Sequence, residues 1–597
     1  MDKRIEDMLL KVQKPARYVG GEVNQVVKSD DKLKFAFCFP DIYEIGMSHL
    51  GMKILYSLIN KQEDWWCERV FAPDWDFRQQ LVENDVPLFS LESHTPLCDF
   101  DMIGFTLQYE MSFTAILDML NLGKVPVLAK DRPNHIVIAG GPCACNPEPL
   151  VDFIDLFVLG EGEEVNIELL NLYKQYKGNK EEFLLHAKDI EGVYVPKYYD
   201  IDYNNDGTVK NISPETRIKK RVIKDLDNVY YPDKFIVPFI DIVHDRAIAE
   251  VMRGCIRGCR FCQAGFIYRP LREKQADTLQ KNCKDLCKST GYEEISLSSL
   301  STSDYSRLEE LLKGVYSYSK DNNINFTLPS LRIDNFPKEL LDEITSVRKS
   351  GLTFAPEAGT QRMRDVINKN ITEEDVLKSC ATAFCGGYTS VKLYFMIGLP
   401  NETDEDVVGI IDLAQKVVDS FYAMEDRPKG KGVTVTVSVS TFVPKPFTPF
   451  QFDPQDTMEE IVRKQKLLRD SIKSKKIILK CHESKISVVE ATLARGDRKL
   501  CDVIMSAWKK GCILEEHSFD KWEEAFKDNN LSMDFYANRK REYDEIFPWE
   551  HLDYGMSKNF FVREHKKAMN AETTKNCKQQ CSGCGIKNMG GKYCDKR

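Results

Sequence analysis

The sequence predicts an α/β protein: an N-terminal doubly wound, flavodoxin-like domain, then a partial (β/α)6 barrel, then an α-rich C-terminal extension. Three observations predict it. Short apolar runs alternate with helical patterns between residues 34 and 176, as in a parallel sheet covered by helices. Six further strand-like runs with helical stretches between them recur from 247 to 440, which suits a partial barrel. From about 455 the chain becomes charged and helical, and it closes on a cysteine-rich tail. The expected boundaries are 20–200, 245–455 and 456–597, because 597 residues exceed what one core can organise.

The first strand is expected at 34–39, stopped by Pro40, and a helix over 48–60. Strands at 102–107, 135–139 and 155–159 follow, with helices over 113–122 and 163–176. Ligands of such sheets bind beyond the carboxyl ends of the strands. Those ends carry Thr106-Leu-Gln-Tyr109, Gly140-Gly-Pro142 and Gly160-Glu-Gly-Glu163. Small residues there either let a bulky ligand reach the backbone or merely serve tight turns. The candidate ligand-facing residues are Thr106, Gln108, Gly140, Gly141, Pro142, Gly160, Glu161 and Gly162. Residues 185–245 read as an irregular connector, and the barrel strands are expected at 247–252, 294–298, 325–329, 352–355, 390–397 and 433–440.

Composition bounds the surroundings. With 42% hydrophobic and 29% charged residues the chain has the make-up of a soluble globular protein. The charged start precedes no secretory apolar run, and no apolar stretch is long enough to span a bilayer, so a cytoplasmic protein without a membrane partner is expected. In that reducing compartment 19 cysteines imply metal ligands and buried thiols rather than disulfides. A net charge of −9 gives no global pull toward nucleic acid, and the basic runs at 217–221 and 473–476 read as solvated faces.

The strongest chemical signal is Arg253-Gly-Cys-Ile-Arg-Gly-Cys-Arg-Phe-Cys262. Cys255, Cys259 and Cys262 form a C-x3-C-x2-C run just after the first barrel strand. Three thiolates so spaced can grip three irons of a cubic [4Fe–4S] cluster. With no fourth cysteine nearby, the fourth iron would stay open to a substrate or cosubstrate. Structural zinc usually joins C-x2-C to a second such pair or to two histidines, and none is close. The tail repeats the spacing in Cys577, Cys581 and Cys584, with Cys594 as a possible fourth ligand. A closed zinc site and a second iron–sulfur cluster are both open there.

The triad resembles that of the radical S-adenosylmethionine (radical SAM) superfamily, where the open iron chelates SAM. Phe261 agrees, an aromatic before the third cysteine being usual there. The resemblance implies that later strand ends hold SAM. Phe395-Met-Ile397-Gly398-Leu-Pro400 is similar to the loop that packs on adenine, Glu357 follows the fourth strand, and Ser330 and Arg332 follow the third. After the second strand many members carry Gly-Gly-Glu for the SAM amino group, whereas this chain has Ser298 and Ser299, and Glu357 could serve instead. Val443-Pro-Lys445-Pro-Phe-Thr448-Pro449-Phe450 resembles a segment of several groups, the methylthiotransferases among them.

A doubly wound domain before such a barrel, with Asn146-Pro-Glu-Pro149 beside its glycine loops, is similar to the cobalamin-binding subgroup. Domains of the methionine synthase type use Asp-x-His-x-x-Gly to ligate cobalt; Met47-Ser-His49-Leu-Gly51 lacks the aspartate and the spacing, so His49 is expected to be a helix or packing residue. The resemblance implies a [4Fe–4S] cluster, SAM, cobalamin, and an external one-electron reductant such as flavodoxin or ferredoxin. Its expected reaction is methyl transfer to an unactivated carbon of an RNA, protein or small molecule. The alternatives are methylthio transfer to RNA or protein and a non-catalytic iron–sulfur sensor.

Overall fold

In a computed structural model the chain is described over residues 2–327, 352–425, 427, 430, 432–514, 518–591 and 594. The front sheet holds β1 (Leu33–Phe39), β2 (Trp65–Phe71), β3 (Met102–Thr106), β4 (Ile136–Gly140), β5 (Leu156–Val158) and β6 (Val193–Tyr194), in the order β2-β1-β3-β4-β5-β6. All neighbours are parallel except β5 and β6. The order reverses beside β1, which makes a crevice at the carboxyl ends of β1 and β3. The strands are buried on both faces, as a sheet covered by helices demands.

β2 was not expected, because Glu68 and Arg69 interrupt its apolar run. Both side chains are buried and paired: Arg69 with Glu22 and Glu92 at 2.8 and 2.6 Å, Glu68 with the hydroxyls of Ser90 and Ser93. Held by these partners, with Lys34 Nζ 3.9 Å from the other Glu68 oxygen, two ionisable groups occupy a fully buried strand.

The connector contains the hairpin β7 (Asp200–Tyr203) and β8 (Val209–Ser213), then β9 (Ile218–Lys219). The barrel follows in two parallel arcs. One joins β10 (Ala247–Glu250), β13 (Glu294–Ser298) and β14 (Asn325–Thr327), while β11 (Met252–Arg253) and β12 (Arg272–Glu273) pair antiparallel around the cysteine loop. The other joins β15 (Leu352–Glu357), β16 (Ser390–Ile397), β17 (Thr434–Thr441) and β18 (Ile477–Cys481). β18 extends the sheet beyond the six expected strands, into the segment expected to be a helical extension. Lys480 and the basic run before the strand mask its alternation of buried and exposed positions.

The extension does not hang off the barrel. β19 (Leu552–Asp553) pairs with β9 of the connector. The largest core mixes front-domain residues (Ile103, Ile116, Phe157), barrel-loop residues (Phe266, Phe452) and extension residues (Val489, Ile504, Trp522, Phe560). The Asn146-Pro-Glu-Pro149 segment serves this junction: Asn146 Nδ2 donates to the carbonyls of Ala494 and Gly496, and fully buried Glu148 pairs with Arg498 at 2.9 Å.

Candidate active site

Two cavities lie at the carboxyl ends of the two sheets. The barrel cavity, 330 Å³, is walled by Cys255, Cys259, Cys262, Phe261, Arg257 and Glu357, among others. The short β11–β12 pairing closes the base of the cysteine loop, and the helix Ala264–Ile267 ends it. Inside the loop, the backbone N–H of Arg257 donates to Cys255 Sγ and that of Gly265 to Cys262 Sγ, both at 3.4 Å. Such bonds favour thiolate over thiol. Against them, burial pushes the Cys255 thiol up to about 12 and the Cys262 thiol to about 11. Neither thiol ionises readily without a cation beside it, and a metal centre supplies one. Three soft donors on one wall, two with N–H donors already aimed at sulfur, fit a [4Fe–4S] cluster.

Glu357 lines the same cavity from the end of β15, where the ladder with β16 is irregular. Its backbone has φ +68°, a left-handed conformation that is uncommon outside glycine, and Lys369 Nζ holds its carboxylate at 2.9 Å. Arg257 grips Asp304 with two nitrogens at 2.6 and 2.7 Å, which anchors the middle of the cysteine loop to the segment after β13.

The second cavity, 430 Å³, opens between the front sheet and the barrel. Thr106, Gln108, Gly140, Gly141, Pro142, Gly160, Glu161 and Gly162 all line it, from the strand ends where they were expected. The opposite wall comes from the barrel: Glu250, Met252, Arg253, Gly254, Tyr268 and the loop Ser298-Ser-Leu300. Two glycines are required here by the chain itself. Gly141 has φ +117° and a Cβ would meet Leu107 O at 2.7 Å; Gly160 has φ +92° and a Cβ would meet Arg221 O at 2.2 Å. The turn reading of these glycines is therefore physically sufficient, and the same absence of side chains leaves the cavity open above them.

Some expected residues are engaged otherwise. Glu161 reaches the cavity wall, but its Oε2 accepts from Arg272 Nη1 at 2.6 Å and from the backbone N–H of Ile223. Ser298 and Ser299 line the front cavity, not the cysteine cavity, and Ser299 shares a hydrogen bond with Thr302. Ile397 is buried in the core of the second arc. The Gly398 N–H donates to Glu402 at 2.7 Å, and a Cβ at Gly398 would meet Asp456 at 3.0 Å, so this face meets the Glu402–Lys464–Asp456 ion cluster. Ile397, Gly398 and Pro400 line neither cavity. Ser330 and Arg332 lie outside the described residues. In the tail Cys584 is buried, Cys581 exposed, and Cys577 and Cys594 half-buried. Among the described residues no three His, Cys, Asp or Glu side chains are gathered as a site for one ion.

Two contributors, Arg253 and Glu250, were missed in the sequence, whereas His49 has the helix role expected of it. His49 lines the front cavity and caps the helix Leu50–Asn60, its Nδ1 accepting from Met52 N at 3.1 Å. Arg253 joins Glu163 of the front loop to Glu250 of β10, with Glu161 beyond at 3.6 Å. Burial alone would raise the Glu250 carboxyl, but Arg253 beside it holds the group below the usual range. The repeated acidic residues of Gly160-Glu-Gly-Glu163, followed far downstream by an arginine before the triad, were the one available signal.

Two family profiles match the chain, one over the front sheet and one over the barrel. The profile for the N-terminal region of radical SAM proteins matches residues 51–196, and that of the radical SAM superfamily itself matches 249–414, across the cysteine loop. The chain therefore carries both the N-terminal region and the domain of radical SAM proteins. It is similar to the uncharacterized protein MJ0966 of Methanocaldococcus jannaschii, 29% identical over 81% of this chain and 95% of that relative. An uncharacterized methyltransferase, PH0819 of Pyrococcus horikoshii, is 24% identical over 63% of this chain and 74% of its own length. Among solved structures, the radical SAM methyltransferase TsrM of Kitasatospora setae, with cobalamin and a [4Fe–4S] cluster bound, aligns at a TM-score of 0.49 and 15% identity, covering 70% of this chain and 77% of that one. The present radical SAM enzyme has, among its described residues, no helix long and apolar enough to cross a membrane.

Proposed function

We propose that this radical SAM enzyme uses SAM and cobalamin together to methylate an unactivated carbon. One observation carries the reading: the cavities at the two sheets adjoin at a shared wall residue, Leu300, so a ligand over the front sheet and one over the cysteine loop would lie on either side of the same side chain. When bound, the cluster and SAM supply a 5′-deoxyadenosyl radical for hydrogen abstraction, and methylcobalamin supplies the methyl group.

The protein's part is holding and excluding. Cys255, Cys259 and Cys262 would ligate three irons, with the Arg257 and Gly265 N–H groups steadying two of the sulfurs. Glu357, oriented by Lys369, would accept from the ammonium of SAM, the task left open by Ser298 and Ser299. Glycine loops of the front sheet would admit the corrin face. While Nδ1 of His49 accepts from its helix, the neutral ring carries its proton on Nε2 and has no free lone pair for cobalt, so base-off cobalamin without a histidine ligand is the form this wall suits.

The test is anaerobic. Reconstituted enzyme with a strong reductant should yield 5′-deoxyadenosine, and replacing Cys255, Cys259 and Cys262 by alanine should abolish it. Continued 5′-deoxyadenosine formation by the triple variant ends the reading, and a wild type that makes none leaves a sensor. Mass analysis of RNA, protein and metabolite pools from cells with and without the gene should find a substrate that gains a methyl group. A gain of a methylthio group would instead establish methylthio transfer.

A further inference from the structure

The catalytic loop is bonded along its length by the cysteine tail. Arg260 Nη2 donates to Glu572 O at 2.7 Å. Asn368 Nδ2 donates to Gly258 O at 3.0 Å, while its Oδ1 accepts from Thr574 N at 2.8 Å. The backbone N–H of Cys577 donates to Ile256 O at 3.1 Å, and Lys578 Nζ donates to the carbonyl of Asp304, whose carboxylate holds Arg257. Tail residues 572–578 thus engage loop residues 256 to 260, and the first tail cysteine is joined by one hydrogen bond to the neighbour of Cys255.

The tail loop also repeats the local chemistry of the catalytic one. Beyond the shared C-x3-C-x2-C spacing, the second tail cysteine also receives an N–H from two residues on, Gly583 donating to Cys581 Sγ at 3.4 Å, as Arg257 does to the first catalytic cysteine, Cys255. Arg563 Nη2 fastens this turn by donating to the carbonyls of Ser582 and Gly583. The side chains differ in exposure: Cys577 is half-buried against the barrel core, Cys584 is buried in the core shared by the three segments, and Cys581 is exposed. An ordered thiol loop, with one end on the catalytic loop and one at the surface, is placed to pass charge inward.

We infer that Cys577, Cys581 and Cys584 hold a second iron–sulfur centre through which electrons enter the enzyme; the inference rests on the radical SAM reading of the Cys255 loop. One electron leaves a reduced carrier of the flavodoxin or ferredoxin class near Cys581. It passes by way of the tail centre to the catalytic cluster and then to SAM, whose sulfur–carbon bond breaks with methionine as leaving group. The carrier is oxidised by one electron for each SAM cleaved, so the balance closes without a further reactant.

The test uses full-length protein reconstituted anaerobically. Iron analysis should give about eight irons per chain, falling to about four when Cys577, Cys581 and Cys584 are all alanine. The paramagnetic signal of the Cys255 cluster, and its change on adding SAM, should survive in that variant. Reduction of this cluster by reduced flavodoxin, followed by rapid-freeze spectroscopy, should slow by about tenfold or more. The single change Cys581→Ala alters an exposed side chain and keeps the test valid if the triple variant folds poorly; it too should slow reduction by flavodoxin. One zinc in place of the extra iron, or wild-type reduction rates in the variants, overturns the relay. Loss of the SAM-sensitive signal from the wild type would instead strike the radical SAM reading itself.

Discussion

His49 divides one ring between helix and cavity. Its Nδ1 accepts from the Met52 N–H and so serves as the cap of Leu50–Asn60, while burial pushes its pKa down to about 4. The sign of the pH effect follows. The folded pKa lies below the ordinary value of 6.5, so the unfolded chain binds the proton more readily between these limits. Stability is fully present above pH 6.5 and is lost as pH falls toward 4. His551, buried and pushed down to about 3, acts in the same direction. Thermal midpoints measured from pH 7 to 4 should therefore fall, and His49→Asn, whose amide can still cap, should flatten the fall. His49→Ala should also lose about 1 kcal/mol at neutral pH through the missing cap. Neither variant should alter the spectrum of bound cobalamin. A base-off/His-on spectrum that vanishes in His49→Ala would make the ring a cobalt ligand and refute the cap reading.

Arg253 works at the scale of elements, since it stands on β11 and reaches both the Gly160–Glu163 loop and the end of β10. The side chains of Arg253, Glu163 and Glu250 keep 12, 6 and 16% of their exposure. Arg253→Ala would strand carboxylates in a poorly hydrated seam, at about 3–5 kcal/mol. Arg253→Lys keeps the charge but loses the fork that serves two partners, so it should fall between. Chemical denaturation of the three proteins should show that ranking, and equal stability of wild type and Arg253→Ala would show that the seam is hydrated. The front strands and the triad were legible because apolar runs and thiol spacing are local signals. β2 and β18 were not, since charged residues interrupt their patterns and only partners distant in sequence explain them. The Gly398 loop was read from resemblance to an adenine-packing turn, and one face of it meets the ion cluster of Glu402, Lys464 and Asp456. No local pattern could reveal that neighbour.

On the scale of the whole molecule, the three segments expected from composition share their interiors. The helix Leu500–Lys509 of the extension packs on Phe113–Leu122 of the front domain, and Trp508 Nε1 donates to buried Asp118 at 3.2 Å. Cutting at residue 455 would expose the front-domain face formed by Ile116, Leu120 and Leu150, and would leave Glu148 buried without Arg498. Burying such side chains is worth roughly 1.5–3 kcal/mol each, and the cut would leave the front sheet only the core on its other face, around Phe35, Trp65 and Leu169. The front cavity has the same dependence, because Glu250, Met252, Tyr268 and Ser298 wall it from the barrel side. Full-length protein should therefore melt in one calorimetric transition and bind hydroxocobalamin in a base-off form. A fragment spanning residues 20–200 should show no cooperative melting and should bind the cofactor at least about tenfold more weakly, as lost wall contacts and lost folding add. Calorimetry and spectral titration on the two proteins decide the matter. A fragment that melts cooperatively and matches the full chain in affinity would make the front domain an autonomous cobalamin module, and would reduce the shared core to a contact between independent parts.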